Sequence, residues 1–258
     1  MGKILIWKGL MILNKVVVGV VLNERVFRLS SNSGILTDAV VSAANSGQGK
    51  EFPLFTRVGG SSDVTNYQVG FFTEDMKNVL HIDTAQVVYT RSSSSPGVGS
   101  LGVGKVIEEF GALWKILDKV MKFPAVRRIG VVGEFLLFGE GENSSDKLMS
   151  GLVKLPVASG SHSSRFNLHF EERRVLSSHG DFNPETADFW NCIYSIYNSE
   201  RDMDFKLSGR ANANIDVQKY YNPAKLNPLR ELKSVHEEFS GKRRLLKERL
   251  ETLGLVNE

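Results

Sequence analysis

Two histidine–carboxylate pairs have the spacing that general acid–base chemistry requires. His81 and Asp83 lie two residues apart, as do His169 and Glu171. Both pairs fall in segments whose alternating apolar and polar residues predict strands, and side chains two residues apart on a strand share a face. Each carboxylate could therefore orient its imidazole, and two facing pairs could act as general acid and base on a phosphodiester. A phosphodiesterase or nuclease is thus one functional hypothesis.

The layout of these pairs resembles that of two-histidine phosphoesterases, but those enzymes carry a hydroxyl residue where this chain has Asp83 and Glu171. A metal site is also conceivable on the remaining imidazoles and a nearby carboxylate, although no spacing among them names a metal. The residues concerned are His162, His169, His179 and Asp181. We therefore predict no metal and no cofactor.

A glycine-rich segment from Gly99 to Lys105 matches the G-x-x-x-x-G-K spacing of a phosphate-binding loop. That loop needs a Ser or Thr after the lysine to hold magnesium, and Val106 stands there instead. It also needs a buried strand directly before it, whereas the preceding residues, from Ser92 onward, are a low-complexity serine and glycine tract. Nucleotide binding is therefore not our prediction.

Basic clusters are the third feature that could bind a ligand. Arginine pairs and a basic stretch of the last helix could line a surface for nucleic acid or a protein partner. Glu248 and Glu251 lie among the last group, so a solvated helix face is an equally direct interpretation. The candidate contact residues are Arg127, Arg128, Arg173, Arg174, Lys242, Arg243, Arg244, Lys247 and Arg249.

The composition indicates an ordinary globular protein. The 32 basic residues against 29 acidic residues give a net charge of +3, which is too small to predict a dedicated nucleic-acid coating protein. The single cysteine, Cys192, excludes an intramolecular disulfide and fits a reducing compartment. Because no apolar run approaches the roughly 20 residues that span a bilayer, we predict a cytoplasmic protein without membrane contact.

The elements that must position these residues are organised around one helix and the strand after it. Apolar residues recur every three or four positions from Lys105 to Lys122, which predicts an amphipathic helix, and Arg127 to Phe138 reads as a central strand. Before this unit we predict four strands in two pairs, with a short helix between the pairs. The strands are Lys15 to Leu22 paired with Arg25 to Leu29, and the hairpin of Tyr67 to Thr73 with Val79 to Arg91; the helix is Ile35 to Ala44.

The second half repeats this pattern. Ser164 to Leu176 predicts a strand, and Asn183-Pro184 predicts the start of an aromatic helix that includes Phe189 to Tyr197. A hairpin of Met203 to Leu207 with Ala211 to Tyr221 and a long final helix follow. We therefore predict an α+β fold with two similar halves, 1–138 and 139–258, packed as one unit, each an antiparallel sheet covered by a long amphipathic helix.

Three stretches carry a family resemblance. They are Phe110 to Phe138 with its Arg128-Ile-Gly-Val131 strand entry, Ala213 to Tyr220, and the terminal helix with Val235-His-Glu-Glu-Phe239. Together they resemble the sporadically distributed, uncharacterised bacterial protein family of about this length. The chain departs from that family at Val132 to Phe135, where the family carries an aromatic Arg-Tyr-Ile-Asn motif. The resemblance implies no catalytic residues, because no chemistry is assigned to the family.

A patchy distribution is typical of genes of mobile elements and defence systems, so the resemblance implies by association a subunit of such a system. The residues themselves offer a strong core signal and no complete catalytic constellation. We therefore predict a non-enzymatic binding or assembly subunit of a multi-protein complex. Its expected partners are other protein subunits or a second copy, with nucleic acid as an additional candidate, and the phosphodiesterase using His81 and His169 is the alternative.

Overall fold

The structure is a computed structural model. It describes residues 11–45, 51–61, 63, 66–94, 99–138, 148–154, 159, 166–176, 187–198, 210–225, 227–253 and 256. The strands are β1 Met11–Leu22, β2 Arg57–Ser61, β3 Gln68–Phe72, β4 Asn78–Asp83, β5 Gln86–Ser92, β6 Val126–Phe138, β7 Asn167–Val175, β8 Phe189–Tyr197 and β9 Arg210–Lys225. The helices are α1 Leu29–Asn45, α2 Val103–Met121 and α3 Leu232–Thr252, with a π turn at Met149–Val153 and a 3₁₀ turn at Pro228–Arg230.

The nine strands of the described residues form one sheet, in the order β2-β3-β4-β5-β1-β6-β9-β8-β7. Each neighbouring pair is antiparallel. The long strands β1 and β6 pair with each other near the middle of the sheet. The short strand β2 and the strand β7 lie at its two edges.

The helices pack on one face of this sheet. The Phe135 ring on β6 stacks on Phe239 of α3 at 6.3 Å between ring centroids. On β5, the Tyr89 hydroxyl donates to the Glu109 carboxylate of α2 at 2.9 Å. Helix α1 lies beside α2, where the Arg28 guanidinium donates to the Met121 carbonyl at 2.6 Å. The core therefore lies between the three described helices and one sheet face.

The residue pattern explains which face is covered. In β1, Val16, Val18 and Val20 are buried, whereas the alternate residues Val17 and Val21 are partly exposed. Side chains alternate between the faces of a strand, so one set packs under the helices and the other set faces away from them. Among the described residues, no helix packs on that second face, which we call the open face.

Helix α2 forms and ends where the sequence predicts. Its apolar stripe is buried from Val106 through Phe110 and Leu113 to Leu117. The helix ends at Met121; the next residue, Lys122, adopts a left-handed conformation with φ of 47°, and Pro124 follows. Proline cannot continue a helix because it lacks a backbone donor and restricts the residue before it. Strand β6 follows directly, as predicted.

The prediction of two similar halves, each an antiparallel sheet covered by a long helix, is wrong. The chain forms a single nine-stranded antiparallel sheet with three helices in the described residues. The physical reason is the pairing of β1, which bonds to β5 on one side and to β6 on the other. Because β6 also pairs with β9, the hydrogen bonds of the sheet continue past residue 138.

The predicted aromatic helix is the strand β8. Its sequence, Phe-Trp-Asn-Cys-Ile-Tyr-Ser-Ile-Tyr from Phe189 to Tyr197, pairs with β7 and β9 over its whole length. The apolar residues of this segment fit both a period of 3.6 and a period of two, and its aromatic and β-branched residues favour a strand. Two available strand partners decide the outcome.

Three smaller predictions also change. The segment predicted as a strand from Arg25 to Leu29 is a turn that leads into α1. The predicted strand Val79 to Arg91 is divided into β4 and β5 at Asp83, whose carboxylate accepts from the amides of Ala85 and Gln86 at 2.7 and 2.9 Å. Strand β2 lies where the sequence predicts no strand. The predicted strand Met203 to Leu207 lies outside the described residues.

The apolar segment Glu51 to Phe55 packs on the core. Phe52 and Phe55 are buried, and their rings stack at 6.3 Å between centroids. Phe55 also contacts Phe71 of β3 at 6.1 Å.

Candidate functional site

The two histidines of the phosphodiesterase hypothesis lie on the same face of the sheet but far apart. His81 is on β4 and His169 is on β7, and the strand order puts six strand spacings between them. At about 4.8 Å per strand, this is about 29 Å along the sheet. A general acid and a general base must both reach one substrate, so these two imidazoles cannot serve one reaction within a single chain.

The two carboxylates of that hypothesis behave differently. The His81 Nε2 atom lies 3.7 Å from Asp83 Oδ2. Partial burial raises the pKa of Asp83, but hydrogen bonding from His81, Ala85 and Gln86 outweighs it, and the net pKa is lowered. Hydrogen bonds from Arg173 and Asn191 lower the pKa of Glu171, whereas His169 Nδ1 lies 2.9 Å from Ser195 Oγ. Glu171 therefore pairs with Arg173 rather than orienting His169.

The nucleotide-loop spacing lies at the start of α2. Val106, which occupies the magnesium-ligand position of that motif, is buried in the core. The strand before the segment is β5, which is antiparallel to both of its neighbours. The structure thus offers no phosphate-loop geometry in the described residues of this segment.

No group of three or more metal-ligating side chains occurs within the described ranges. Of the four metal-ligand candidates, His169 lies on β7, and the other three lie outside those ranges. Cys192 is buried on β8, and burial raises the pKa of its thiol to about 11. A thiol with so high a pKa is not a nucleophile at neutral pH.

The candidate basic residues divide between the two faces of the sheet. Arg128 and Arg173 alternate with buried neighbours so that they lie on the open face. Arg174 lies on the helix face, where its guanidinium contacts Glu238 of α3 at 2.7 Å. Arg127 is exposed at the irregularity near the start of β6. They do not form one surface.

Three of the five candidate basic residues of α3 are paired with neighbouring carboxylates. Lys242 contacts Glu172 at 2.8 Å, and Lys247 contacts Glu251 at 2.9 Å. Three further contacts involve the arginines: Arg244 with Glu248 at 3.8 Å, Arg243 over the Phe135 ring at 5.5 Å, and Arg249 with the Gly151 carbonyl at 3.4 Å. Within the described residues, Arg243 and Arg249 are the members of this group without a carboxylate partner.

The open face has an apolar centre and a charged rim. Strands β5, β1 and β6 contribute valines to the centre, and the registers place Val88 beside Gly19 and Val17 beside Val132. The basic residues of the face are Lys15, Arg57, Arg128 and Arg173, and its acidic residues are Asp83, Glu134, Glu171 and Asp216. Lys15 pairs with Glu134 at 2.8 Å, and Arg173 pairs with Glu171 at 3.0 Å.

A shallow depression of ≈130 Å³ lies at the middle of this face. Gly19 of β1 and Gly130 of β6 are directly opposite each other there, and neither contributes a side chain. A Cβ atom on Gly130 would lie 3.1 Å from the Val217 carbonyl oxygen. The depression is lined by Val17, Val88, Val132, Arg128, Asp216 and Gln218, among others.

A hydrogen-bond network fixes the polar side of the depression. Arg128 donates to the Tyr220 hydroxyl at 3.1 Å and to Gln218 Oε1 at 3.3 Å. Gln218 Nε2 donates to Asp216 Oδ2 at 2.5 Å. The Tyr220 ring stacks on Phe189 of β8 at 4.5 Å between centroids. The side chains on this side of the depression are therefore held in place by one another.

Three side-chain oxygens beside this network are buried without a hydrogen-bond partner in the described part of the chain: Asn191 Oδ1, Asn214 Oδ1 and Asp216 Oδ1. Asn214 and Asp216 are two residues apart on β9, and Asn191 lies on the neighbouring strand β8 opposite Gln218. All three alternate onto the open face. Burial raises the pKa of Asp216, against the opposing influence of Gln218 and Arg128.

The sequence interpretation missed two features of this chemistry. One is the open face, because its residues come from strands far apart in the chain and only the pairing register joins them. The other is Glu109, which is 3% exposed and binds Tyr89 and Arg91 on the helix side. A signal for Glu109 existed: it is three residues after Val106 and four before Leu113, so it lies on the apolar stripe of α2.

A second concavity, a cleft of ≈750 Å³, lies between α2 and α3 on the helix side. It brings together Glu51, the start of α2 at Gly104 and Lys105, and His236 of α3. Lys115 and Glu108 also border it, so its rim carries charges of both signs. We call it the α2–α3 cleft.

No protein-family model and no curated protein matches this sequence. Within the described residues, no helix combines the length and the apolar character needed to cross a bilayer.

Proposed function

We propose that this chain is a non-enzymatic binding or assembly subunit that docks a protein partner on the open face of its sheet. The observation that carries the proposal is the placement of all three described helices on the opposite face, with partly exposed valines left at the centre of the open one. Contiguous apolar surface of this kind marks interaction sites in soluble proteins.

The size of the open face supports a protein partner. Nine strands at about 4.8 Å spacing extend about 38 Å, and a five-residue strand extends about 16 Å. The product is about 600 Å² before side-chain relief, and the longer central strands add to it; a standard interface buries about 800 Å² on each partner. An apolar centre with a charged rim is also the usual anatomy of a protein interface.

The charge of the open face favours protein over nucleic acid. Four basic and four acidic residues lie on it, and two of the basic residues are already paired. Binding to a phosphate backbone draws its free energy from uncompensated Lys and Arg. Phe189, which could have stacked on a base, is only 6% exposed. The open face thus lacks the positive potential that a nucleic-acid surface uses.

The proposal also includes the type of complex and the cell compartment. The resemblance to a sporadically distributed bacterial family adds, by association, a defence or mobile-element complex. The single cysteine supports a reducing compartment, and we propose the cytoplasm.

Site-specific photo-crosslinking in the native cell tests the proposed surface. A benzoylphenylalanine at Val88 would lie at the centre of the open face, and the matched control at Lys115 would lie at the α2–α3 cleft. We expect one protein crosslinked from Val88 and none from Lys115. Crosslinks from Lys115 alone would move the partner to the cleft and overturn the proposal. Crosslinks to nucleic acid from Val88 would overturn the choice of a protein partner.

A further inference from the structure

The three buried oxygens of the open face indicate which kind of chemical group on a partner could bind there. A buried polar atom without a hydrogen bond costs about 1–3 kcal/mol, so a cluster of such atoms on adjacent strands needs an explanation. Asn191 is 4% exposed, and its Oδ1 has no hydrogen-bond partner in the described ranges. Asn214 Oδ1 and Asp216 Oδ1 share this condition. All three atoms are acceptors, so the missing groups are donors.

The charges around the depression favour a cationic donor group. Asp216 is a carboxylate, whereas Glu134, which lies opposite Asn214 in the register of β6 and β9, is already paired with Lys15 at 2.8 Å. A phosphate or a carboxylate would be repelled here, whereas a cationic donor would be attracted. Arg128 faces the same depression and opposes an incoming cation, but its guanidinium is already bonded to Tyr220 and Gln218. Asp216 Oδ1 accepts no hydrogen bond within the described residues.

The shape of the depression favours an arginine side chain over a lysine side chain. A cavity of about 150 Å³ holds a benzene ring, so the depression of ≈130 Å³ can accommodate the four heavy atoms of a guanidinium. The acceptors are spread over two strands, and a planar guanidinium presents five donors in a fork, whereas an ammonium concentrates three at one point. The valines around the glycine pair would contact the flat faces of the group.

We propose that the depression at Gly19 and Gly130 receives an arginine side chain of the protein partner, with Asp216 and Asn214 as its acceptors. This inference rests on the proposed function, because it takes the open face as the interface. Asn191, next to the depression on β8, is the third acceptor of the same patch.

The test uses the blocked tripeptide acetyl-Gly-Arg-Gly-amide as probe and nuclear magnetic resonance as readout. The side-chain amide signals of Asn191 and Asn214 report on the patch directly. We expect them to shift saturably with the arginine peptide and at least tenfold more weakly with its lysine counterpart. Asp216→Asn keeps the size of the side chain and should weaken arginine binding at least tenfold. Glu237→Gln, which removes the same charge on the helix face, should leave it unchanged.

A second variant separates a loss of arginine binding from a loss of folding. Asn214→Asp adds a carboxylate to the patch and should tighten arginine binding. Signals that stay in place up to saturating peptide, or that respond equally in Asp216→Asn, would overturn the inference. A preference for a DNA oligonucleotide over the arginine peptide would also overturn it. If crosslinking from Val88 persists while the arginine peptide fails, only this inference is lost; if both fail, the proposed function is lost as well.

Discussion

Asp216 is a carboxylate held in a setting that favours its neutral form. Burial raises its pKa above the ordinary value of 3.8. A group with a raised pKa in the folded state stabilises the protein only when it is protonated, and this contribution is lost as the pH rises through the folded-state pKa. The ionised carboxylate is therefore a net cost at neutral pH.

Asp216→Asn should consequently stabilise the protein at pH 7, by about 1 kcal/mol, the lower end of the cost of an unsatisfied buried group. The gain should shrink as the pH falls toward about 4, because the wild-type carboxyl group then becomes protonated. Its neutral form, like the neutral amide of the variant, carries no buried charge. Urea unfolding between pH 4.5 and 8 measures it. Glu237→Gln, on an exposed helix face, provides the comparison, and equal pH profiles for the two variants would contradict the assignment.

Glu109 is the opposite case, a buried carboxylate that is fully partnered. It forms an ion pair with Arg91 and accepts from Tyr89 at 2.9 Å. Burial and the nearby Glu109 charge both raise the pKa of Tyr89, so its hydroxyl stays a donor. This network joins β5 to α2.

Arg91→Met should destabilise the protein by about 3 kcal/mol, because it leaves the Glu109 charge buried without its partner. The double variant Arg91→Met with Glu109→Met removes both charges, so it should recover most of that loss. Denaturant unfolding of the two single variants and the double variant forms the thermodynamic cycle. A double variant as unstable as Arg91→Met would show that packing, and not the unpaired charge, causes the loss.

At the scale of elements, Gly133 lets α3 lie close to the sheet. A Cβ atom on Gly133 would lie 2.5 Å from Phe239 Cζ and 3.1 Å from Leu13 Cδ1. Both neighbours are fully buried, so neither can move aside freely. The glycine is therefore required by the docking of the helix and not by a turn.

Gly133→Ala should lower the free energy of unfolding by about 1–3 kcal/mol through overpacking. Gly241→Ala is the matched control on α3 itself, since a Cβ atom there would meet nothing within 4 Å. It should raise the stability by about 0.8–1.0 kcal/mol because alanine is the better helix former. Thermal or urea unfolding measures both, and a neutral Gly133→Ala would mean that α3 sits farther from β6 than described.

The elements that the sequence predicts well are those whose neighbours are close in the chain. The amphipathic stripe of α2 and the valine alternation of β1 are decided locally, and both are confirmed within a few residues. Strand β8 is decided by β7 and β9, and a cap signal at Asn183-Pro184 favoured a helix. The short strand β2 carries two glycines and a serine, so its local propensity is that of a loop, and only pairing with β3 makes it a strand.

The candidate site was less predictable than the fold. His81, Arg128 and Arg173 were identified, but their shared face depends on the registers of seven strands. Asn214 and Asp216 carried no signal, because alternating polar residues are ordinary on any half-exposed strand. Their burial and missing partners are properties of the assembled sheet.

At the scale of the whole molecule, the continuous sheet predicts one cooperative unfolding transition. Trp114 on α2 and Trp190 on β8 report on opposite sides of the β1–β6 pair. Variants that retain only one of the chain's tryptophans should show the same urea midpoint by fluorescence, since a two-state protein gives coincident transitions with different probes. The effect of the substitutions on each midpoint is measured by circular dichroism. Fluorescence midpoints that differ by more than this effect would show two independently folding units.

The two edges of the sheet are not equivalent. Strand β7 carries Glu171, Glu172, Arg173 and Arg174 in succession, and such charges block the addition of another strand. Strand β2 has one charge, Arg57, followed by Val58, which is 50% exposed, and two glycines. The backbone groups on its outer side pair with no strand in the described part of the chain, and such groups are a template for strand-by-strand growth. Aggregation at high concentration should therefore begin at β2. The purified chain should stay in solution longest when that edge is covered.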